Sequence, residues 1–378
     1  MKYCKKCMYP EVSVNLMLDD DGICSACHVQ DEFNNLTDDF WNKRKQKFEE
    51  IIDKYRSKNQ SNYDCIIPVS GGKDSYYQTY MIKEVYKLNP LLVTYHGNNY
   101  MEEGQENLDN MREVFGVDHI VFGPSVATLK KLNRLCFKKL GDMNWHAHCG
   151  IETYPIQIAV KMKIPIIVWG ETAWDVSGMH SPDDYTEFNA RSRLEHSMRG
   201  YDWYDMIDEE EGIKEKHLLW AKYPSDEEIE SVGVRGIYLG NYFKWDPNVH
   251  STKMRAKYGF QGAKQPFERT YRQFSNLDDM HENGVHDYLK FIKFGYGRAS
   301  DHASKDIRAG YMSREEGIKM VKKYDHVKPR RDLKRWLEYV GMSEEEFDKI
   351  ADSFRDKRVW SKDSSGNWVK DNIWDFDK

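Results

Sequence analysis

Short apolar runs alternate with helical patterns through the first half of the chain. The runs lie at 65–69 (Cys65-Ile66-Ile67-Pro68-Val69), 91–95, 119–122 and 165–169. Each is bounded by polar or turn residues and has the length of a buried strand. Between them, apolar positions recur at helical spacing over 74–87, 104–115, 126–140 and 150–162. Strands alternating with helices predict an α/β fold with a doubly wound parallel sheet. A ligand then belongs at the carboxyl ends of the strands, near the point where strand order reverses. Pro68 lacks a ladder donor and is expected at the end of its strand.

The flanking segments follow other patterns. Residues 37–57 repeat apolar positions (Phe40, Trp41, Phe48, Ile51, Ile52, Tyr55) on one helical face, with Thr37 as N-cap. Residues 58–63 read as a linker. Residues 172–230 are polar and weakly periodic, which predicts a lid or an excursion, and apolar character returns over 234–245. From 284 onward the pattern is helical, with Ser313-Arg314-Glu315-Glu316 as a capping box for a helix at 314–323. Further helices are expected at 331–340 and 343–353, then a polar tail anchored by Trp368 and Trp374. The expected division is 1–36, 37–63, 64–230 and 231–378.

The first apolar run leads straight into Ser70-Gly71-Gly72-Lys73-Asp74-Ser75. Glycine lets the backbone bend tightly and phosphate oxygens approach without a Cβ in the way. Successive N–H groups and a helix N-terminus then supply positive potential for an anion. No Walker A string, G-x-x-x-x-G-K-[ST], occurs. The six residues resemble the SGGxDS pyrophosphate loop of the ATP pyrophosphatase (PP-loop) superfamily. That likeness implies cleavage of ATP between the α and β phosphates and transfer of AMP to a carbonyl-type oxygen. The alternative is a glycine turn before an ordinary helix.

Composition narrows the class. A net charge of −6 gives no global basic field for nucleic acid. No run of about 18 apolar residues exists to span a membrane, and Met1-Lys2-Tyr3-Cys4 lacks the apolar core of a signal peptide. A cytoplasmic location is expected.

Four of the seven cysteines fall in the first 27 residues, Cys4, Cys7, Cys24 and Cys27, as two C-x2-C knuckles. This spacing matches a closed tetrahedral Cys4 zinc ribbon, and metal binding lets so short a segment fold. Disulfides do not suit a cytoplasmic chain. An iron–sulfur cluster would use the same ligands. Cys24-Ser25-Ala26-Cys27-His28 also matches a covalent haem site, but that reading leaves Cys4 and Cys7 unexplained.

A Cys4 ribbon, an SGGKDS loop and a helical C-terminal region together resemble the N-acetyl sugar amidotransferase family of surface-polysaccharide and flagellin-glycan biosynthesis. Met1-Lys2-Tyr3-Cys4-Lys5-Lys6-Cys7, Lys293-Phe294-Gly295-Tyr296-Gly297-Arg298-Ala299-Ser300-Asp301, Asp306-Ile307-Arg308 and Ser313-Arg314-Glu315-Glu316 carry the resemblance. It implies conversion of an N-acetyl group on a nucleotide-linked sugar into an acetamidino group, as in nonulosonic acids such as pseudaminic and legionaminic acid. It implies ATP, Mg2+ and Zn2+ as cofactors. It also implies ammonia from separate glutaminase and channel-forming subunits, with no nucleic acid or membrane as partner.

The resemblance assigns Ser70, Gly71, Gly72, Asp74 and Ser75 to the β and γ phosphates, Lys73 to charge neutralisation, and Asp74 to Mg2+. Lys73 is alternatively a solvated lysine at a helix start. Adenine is expected near Thr94, Tyr95 and His96. Gly170 and Glu171 end the fourth strand at the same sheet edge, with Glu171 a candidate metal or ribose ligand or a helix-start acid. His146, His148, Cys149 and Gly150 precede a helix expected near Ile151, with His146 as catalytic lining and Gly150 allowing close approach of the nucleotide. Lys293, Arg298 and Arg308 are candidates for the sugar nucleotide's phosphates or carboxylate; a solvated helix face is the alternative.

Two rival functions remain. A PP-loop tRNA thiolase would use Cys149 as persulfide carrier, but the acidic chain shows no basic tract for a nucleic-acid backbone. A zinc-ribbon binding module with a decayed loop is the other, and the intact SGGKDS string argues against decay.

Overall fold

The computed structural model describes residues 1–170, 186–278 and 280–376. Five parallel strands form one sheet: β1 (Cys65–Pro68), β2 (Pro90–Tyr95), β3 (Asp118–Phe122), β4 (Ile166–Trp169) and β5 (Arg235–Tyr238). Their order is β3-β2-β1-β4-β5. Strand order therefore reverses between β1 and β4, and the 70–75 loop leaves the sheet at that switch point. Pro68 is the last residue of β1, opposite Val93, where the missing N–H is tolerated.

Side chains alternate across the sheet as a pleat requires. Ile67, Leu92 and Val168 pack on one face against Phe48 and Ile52 of α2 (Asp38–Tyr55), Tyr76 of α3 (Lys73–Thr79), and Leu108 and Met111 of α4 (Glu102–Phe115). Ile66, Leu91, Val93 and Ile167 pack on the other face against Ile156, Ile158 and Ala159 of α6 (Trp145–Met162). α1 (Ser25–Asn34) starts inside the second cysteine knuckle, with Cys24 as N-cap and Cys27 in its first turn, and α5 (Val126–Leu140) follows β3. α3 widens into a π-helical turn over Tyr80–Val85. Thr37 caps α2 by accepting from the Phe40 N–H.

Three expectations are corrected. A fifth strand, not expected from the sequence, comes from 235–238 within the stretch where apolar character returns; an arginine and a glycine in four residues hide it as a strand. α6 begins at Trp145, not near Ile151, so His146, His148, Cys149 and Gly150 lie within its first turns. The described part of the polar excursion is a packed layer. Met198, Met206, Ile213, Leu218 and Trp220 close over Leu132 and Cys136 of α5 and Trp145 and Cys149 of α6.

The C-terminal helices are α7 (Asp226–Val232), α8 (Pro247–Tyr258), α9 (Asn283–Phe294), α10 (Arg298–Arg308), α11 (Arg314–Tyr324), α12 (Arg330–Val340) and α13 (Glu344–Ser353). The Ser313–Glu316 capping box opens α11 as expected. Trp336 and Phe347 pack on Phe137 of α5, which ties this region to the sheet domain. The tail returns to the N-terminus: the Met1 amino group meets Asp371 Oδ2 at 2.8 Å. No described helix is long and apolar enough to cross a membrane.

Gly150 carries a packing constraint. A Cβ there would fall within the ring of Tyr95, so α6 approaches β2 only because residue 150 is glycine. This replaces the nucleotide-contact role expected for Gly150. Gly150→Ala is expected to destabilise the protein by about 1–3 kcal/mol, read as a lower urea midpoint at unchanged slope.

Candidate active site and metal centre

The Ser70–Ser75 loop is shaped by three local devices. Gly71 adopts φ +76°, and a Cβ there would lie 2.8 Å from the Leu108 backbone nitrogen. Only glycine admits both that conformation and that contact. Ser75 Oγ accepts from the Ser70 N–H at 3.0 Å and closes the loop on itself. Gly72 serves as N-cap of α3, so the N-terminus of α3 opens beside the loop. Lys73 Nζ pairs with Asp74 Oδ2 at 2.5 Å. Asp74 Oδ1 is buried with no hydrogen-bond partner among the described residues. A buried acceptor without a donor calls for an explanation, and a bound cation supplies one.

The loop opens into a cleft of about 1770 Å³ at the carboxyl ends of β1, β2, β4 and β5. Single small-molecule sites run to about 300–1,000 Å³, so this one has room for two ligands. Ser70, Gly72, Lys73, Asp74, Ser75, Tyr95 and Gly170 line one side, and Lys293, Arg298 and Arg308 line another. The structure thus brings these expected residues around one space. Gly170 is already bonded, its carbonyl accepting from the Gly240 N–H at 3.0 Å. Glu171 lies outside the described residues.

Two expected site residues are elsewhere. His96 is not part of the cleft wall: its Nε2 pairs with Gln105 Oε1 at 2.9 Å and its ring stacks on Tyr100. Gly97, Asn99 and Tyr100, just after it, form that part of the wall. His146 is wholly buried, with Nδ1 3.2 Å from the Tyr95 hydroxyl and Nε2 2.9 Å from Glu282 Oε1. Glu282 also accepts from Asn133 and Asn99. His146 is therefore part of a buried polar network that ties β2 and α6 to the C-terminal region. His148, two residues on, faces the cleft in its place.

The opposite wall is charged but balanced. Arg298 Nε donates to Asp287 Oδ1 at 2.8 Å, and Lys290 pairs with Asp301 at 2.5 Å. Asp142 sits 2.7 Å from Arg199, 3.0 Å from His286 and 3.8 Å from Lys293. Burial alone would raise the Asp142 carboxyl, but His286, Arg199 and Lys293 hold it well below the carboxylate range. Burial brings Lys293 down to about 8 against the pull of Asp142. Burial pushes Glu152, on α6, up to about 7, although Ser197 and Arg193 oppose it. Groups tuned toward neutrality in a cleft are the material of acid–base chemistry. Sequence reading missed Glu152, Asp142 and Asp278. Asp278 lines the cleft together with Ser70, and burial raises its carboxyl although Ser70 and Lys73 oppose it. None has a motif around it, and only the fold assembles them.

Cys149 is wholly buried, and burial pushes its thiol up to about 12. It is unsuited to carry a persulfide, which requires an accessible thiolate.

The sulfurs of Cys4, Cys7, Cys24 and Cys27 lie within 4.8 Å of one another and all four residues are buried. Cys4 and Cys27 are 3.8 Å apart, Cys7 and Cys24 3.5 Å. A tetrahedron with metal–sulfur bonds of about 2.3 Å has edges near 3.8 Å, so the cluster fits a divalent metal such as zinc. The N–H groups of Cys7 and Cys24 point at Cys4 Sγ, at 3.4 and 3.3 Å. Arg308 Nη1 lies 3.7 Å from Cys7 Sγ. Arg308, expected at the sugar nucleotide, thus reaches both the cleft and Cys7; around a bound divalent ion its guanidinium would offset the net negative charge of four thiolates. Ser304 Oγ also donates to the Cys7 carbonyl, and Tyr9 bonds Asp301. The four-cysteine cluster is thus packed directly on α10, which also lines the cleft.

Several native histidines resist protonation. Burial lowers His119, His148 and His250 to about 4 from an ordinary 6.5. The folded state therefore binds fewer protons than the unfolded chain between those values. Stability from these groups is fully present above pH 6.5 and is lost as pH falls toward 4. Melting temperature is expected to drop steadily across that window; a flat profile would contradict these environments.

Residues 268–373 match the family model described as LPS biosynthesis protein WbpG-like, C-terminal domain. An 80-residue stretch is 38% identical to an uncharacterized protein of Methanocaldococcus jannaschii, covering 21% of this chain and 28% of that protein. The chain thus aligns with less than a third of that relative's length. The cleft wall opposite the Ser70–Ser75 loop, from Arg272 through Lys293 and Arg298 to Arg308, lies within the segment similar to the WbpG-like C-terminal domain of lipopolysaccharide biosynthesis proteins.

Proposed function

We propose that this chain is an ATP-dependent amidotransferase that converts an N-acetyl group of a nucleotide-linked sugar into an acetamidino group. The observation that carries the reading is a Gly-Gly phosphate loop at the switch point of a parallel sheet, facing a wall similar to a lipopolysaccharide-biosynthesis domain. That similarity supports a role in sugar biosynthesis, and the loop supplies the nucleotide chemistry.

An amide carbonyl is a poor electrophile because nitrogen donation stabilises it. Transfer of AMP to its oxygen gives an imidate with a good leaving group. Ammonia attacks the carbon, the carbon–oxygen bond breaks, and AMP departs carrying the former carbonyl oxygen. In this reading Ser70, Gly71, Gly72 and Ser75 cradle the β and γ phosphates, and Lys73 offsets their charge. Asp74 would hold Mg2+, which supplies charge neutralisation on the pyrophosphate. Tyr95 and Gly170 flank the adenosine, and Lys293 and Arg298 receive the sugar nucleotide's phosphate or carboxylate. The Cys4 centre holds zinc and is structural. Ammonia comes from separate glutaminase and channel subunits, and the reaction is cytoplasmic.

The test is incubation with ATP, Mg2+, an ammonium salt and a panel of diacetamido sugar nucleotides, read by mass spectrometry. The expected product has one oxygen replaced by NH, forms with ammonium, and does not form from glutamine alone. Sulfur transfer to tRNA, with no amidine from any sugar, would overturn the reading.

A further inference from the structure

Glu152 and His148 stand one turn apart on α6 and both line the cleft. Positions i and i+4 share a helix face. Glu152 Oε1 accepts from Ser197 Oγ at 2.6 Å, whereas Oε2 is buried with no hydrogen-bond partner among the described residues. Arg193 acts on Glu152 through its charge but makes no hydrogen bond to it. Its Nη atoms go to Asp202 at 3.1 Å and Thr153 at 3.3 Å, its guanidinium lies over the Tyr223 ring, and its Nε is itself buried without a hydrogen-bond partner among the described residues. Cys149, between the two, is inert. The His148 ring lines the cleft and makes no hydrogen bond to the described residues. An orphaned carboxylate oxygen is destabilising, and a small ligand with several N–H donors would satisfy it.

We infer that Glu152 and His148 form the ammonium site of this cleft, with Ser197 fixing the carboxylate. The inference rests on the amidotransferase reading for its nitrogen source. Ammonium brings four N–H donors and one positive charge; Glu152 supplies the countercharge and an acceptor, and the neutral His148 imidazole a second acceptor. In the transfer step one ammonium proton passes to the Glu152 carboxylate. The freed nitrogen lone pair forms the bond to the imidate carbon, and the electrons of the breaking carbon–oxygen bond leave with AMP. The burial that brings Glu152 to about 7 suits it to hold that proton and release it afterwards.

The experiment has two arms. In the first, the ammonium dependence of amidine formation is measured at saturating ATP and acetamido sugar. Glu152→Gln is expected to raise the KM for ammonium by about tenfold or more, with the KM for ATP unchanged. His148→Asn is expected to act in the same direction by a smaller factor. An unchanged ammonium KM in Glu152→Gln would overturn the assignment. So would an equal loss of ATP-dependent adenylation, which would place Glu152 on the sugar instead. The second arm needs no turnover and separates this inference from the reaction itself. Ammonium chloride should raise the melting temperature of the wild-type protein above that in potassium chloride of equal ionic strength, and Glu152→Gln should abolish the difference. Equal melting temperatures in the two salts would overturn the site even if amidine forms.

Discussion

Asp74→Ala is expected to lower turnover by about 10²–10³-fold while leaving the fold and the melting temperature nearly unchanged. Asp74 is partly exposed in the first turn of α3, and its protein contact of note is the 2.5 Å pair with Lys73. The pair is only 15% and 23% exposed, but it joins neighbouring residues and ties no two elements together, so its loss leaves the packing in place. The acid's value to the fold is therefore small. Its value to the site is large, because Oδ1 is buried beside the phosphate loop without a donor. A carboxylate held in that state is poised for a cation that accompanies phosphate. Ser70→Ala should act in the same direction, since Ser70 opens the loop and lines the cleft beside Asp74. Turnover near wild type in either variant would remove the loop from the chemistry.

Cys24→Ser should release one metal ion per chain and sharply lower soluble yield. Structural zinc contributes about 10–16 kcal/mol of apparent binding free energy in small domains, and the ribbon has little else. Its described pairing consists of single bridges, Tyr3 with Pro10 and Leu18 with Cys24, around a small cluster of buried side chains. The damage should reach the cleft. Arg308, Ser304 and Asp301 of α10 all contact the knuckle region, and α10 also carries Arg298. Protein that survives the substitution should therefore show a raised KM for the sugar nucleotide, with the KM for ATP less affected. Elemental analysis of wild-type protein should give zinc. Iron with visible absorbance, or a well-folded protein without metal, would contradict the centre as described.

The sheet was legible in the sequence because its buried strands read as uninterrupted apolar runs. β5 was not, because Arg235 and Gly236 occupy half of it. The phosphate loop and the cysteine knuckles were legible because both are local: a few consecutive residues set their geometry. The charged wall was partly legible. Lys293, Arg298 and Arg308 all reach the cleft as expected, but Arg308 also meets Cys7, a partner 301 positions away that no local pattern reveals. His146 and His148 could not be told apart by spacing, because the true start of α6 at Trp145 sets which one is buried. Glu152, Asp142 and Asp278 have no sequence signature at all. Their roles follow from who surrounds them, and the surroundings come from α5, α6, α9 and the excursion together.

The central claim is that ATP activates an amide oxygen at the Ser70–Ser75 loop. It is tested most directly by following that oxygen. The sugar's acetyl carbonyl is labelled with heavy oxygen, the reaction is run with ATP, Mg2+ and ammonium, and the nucleotide products are resolved by mass. The account predicts pyrophosphate together with AMP that carries the label. ADP and phosphate as the products, or AMP without the label, would contradict it.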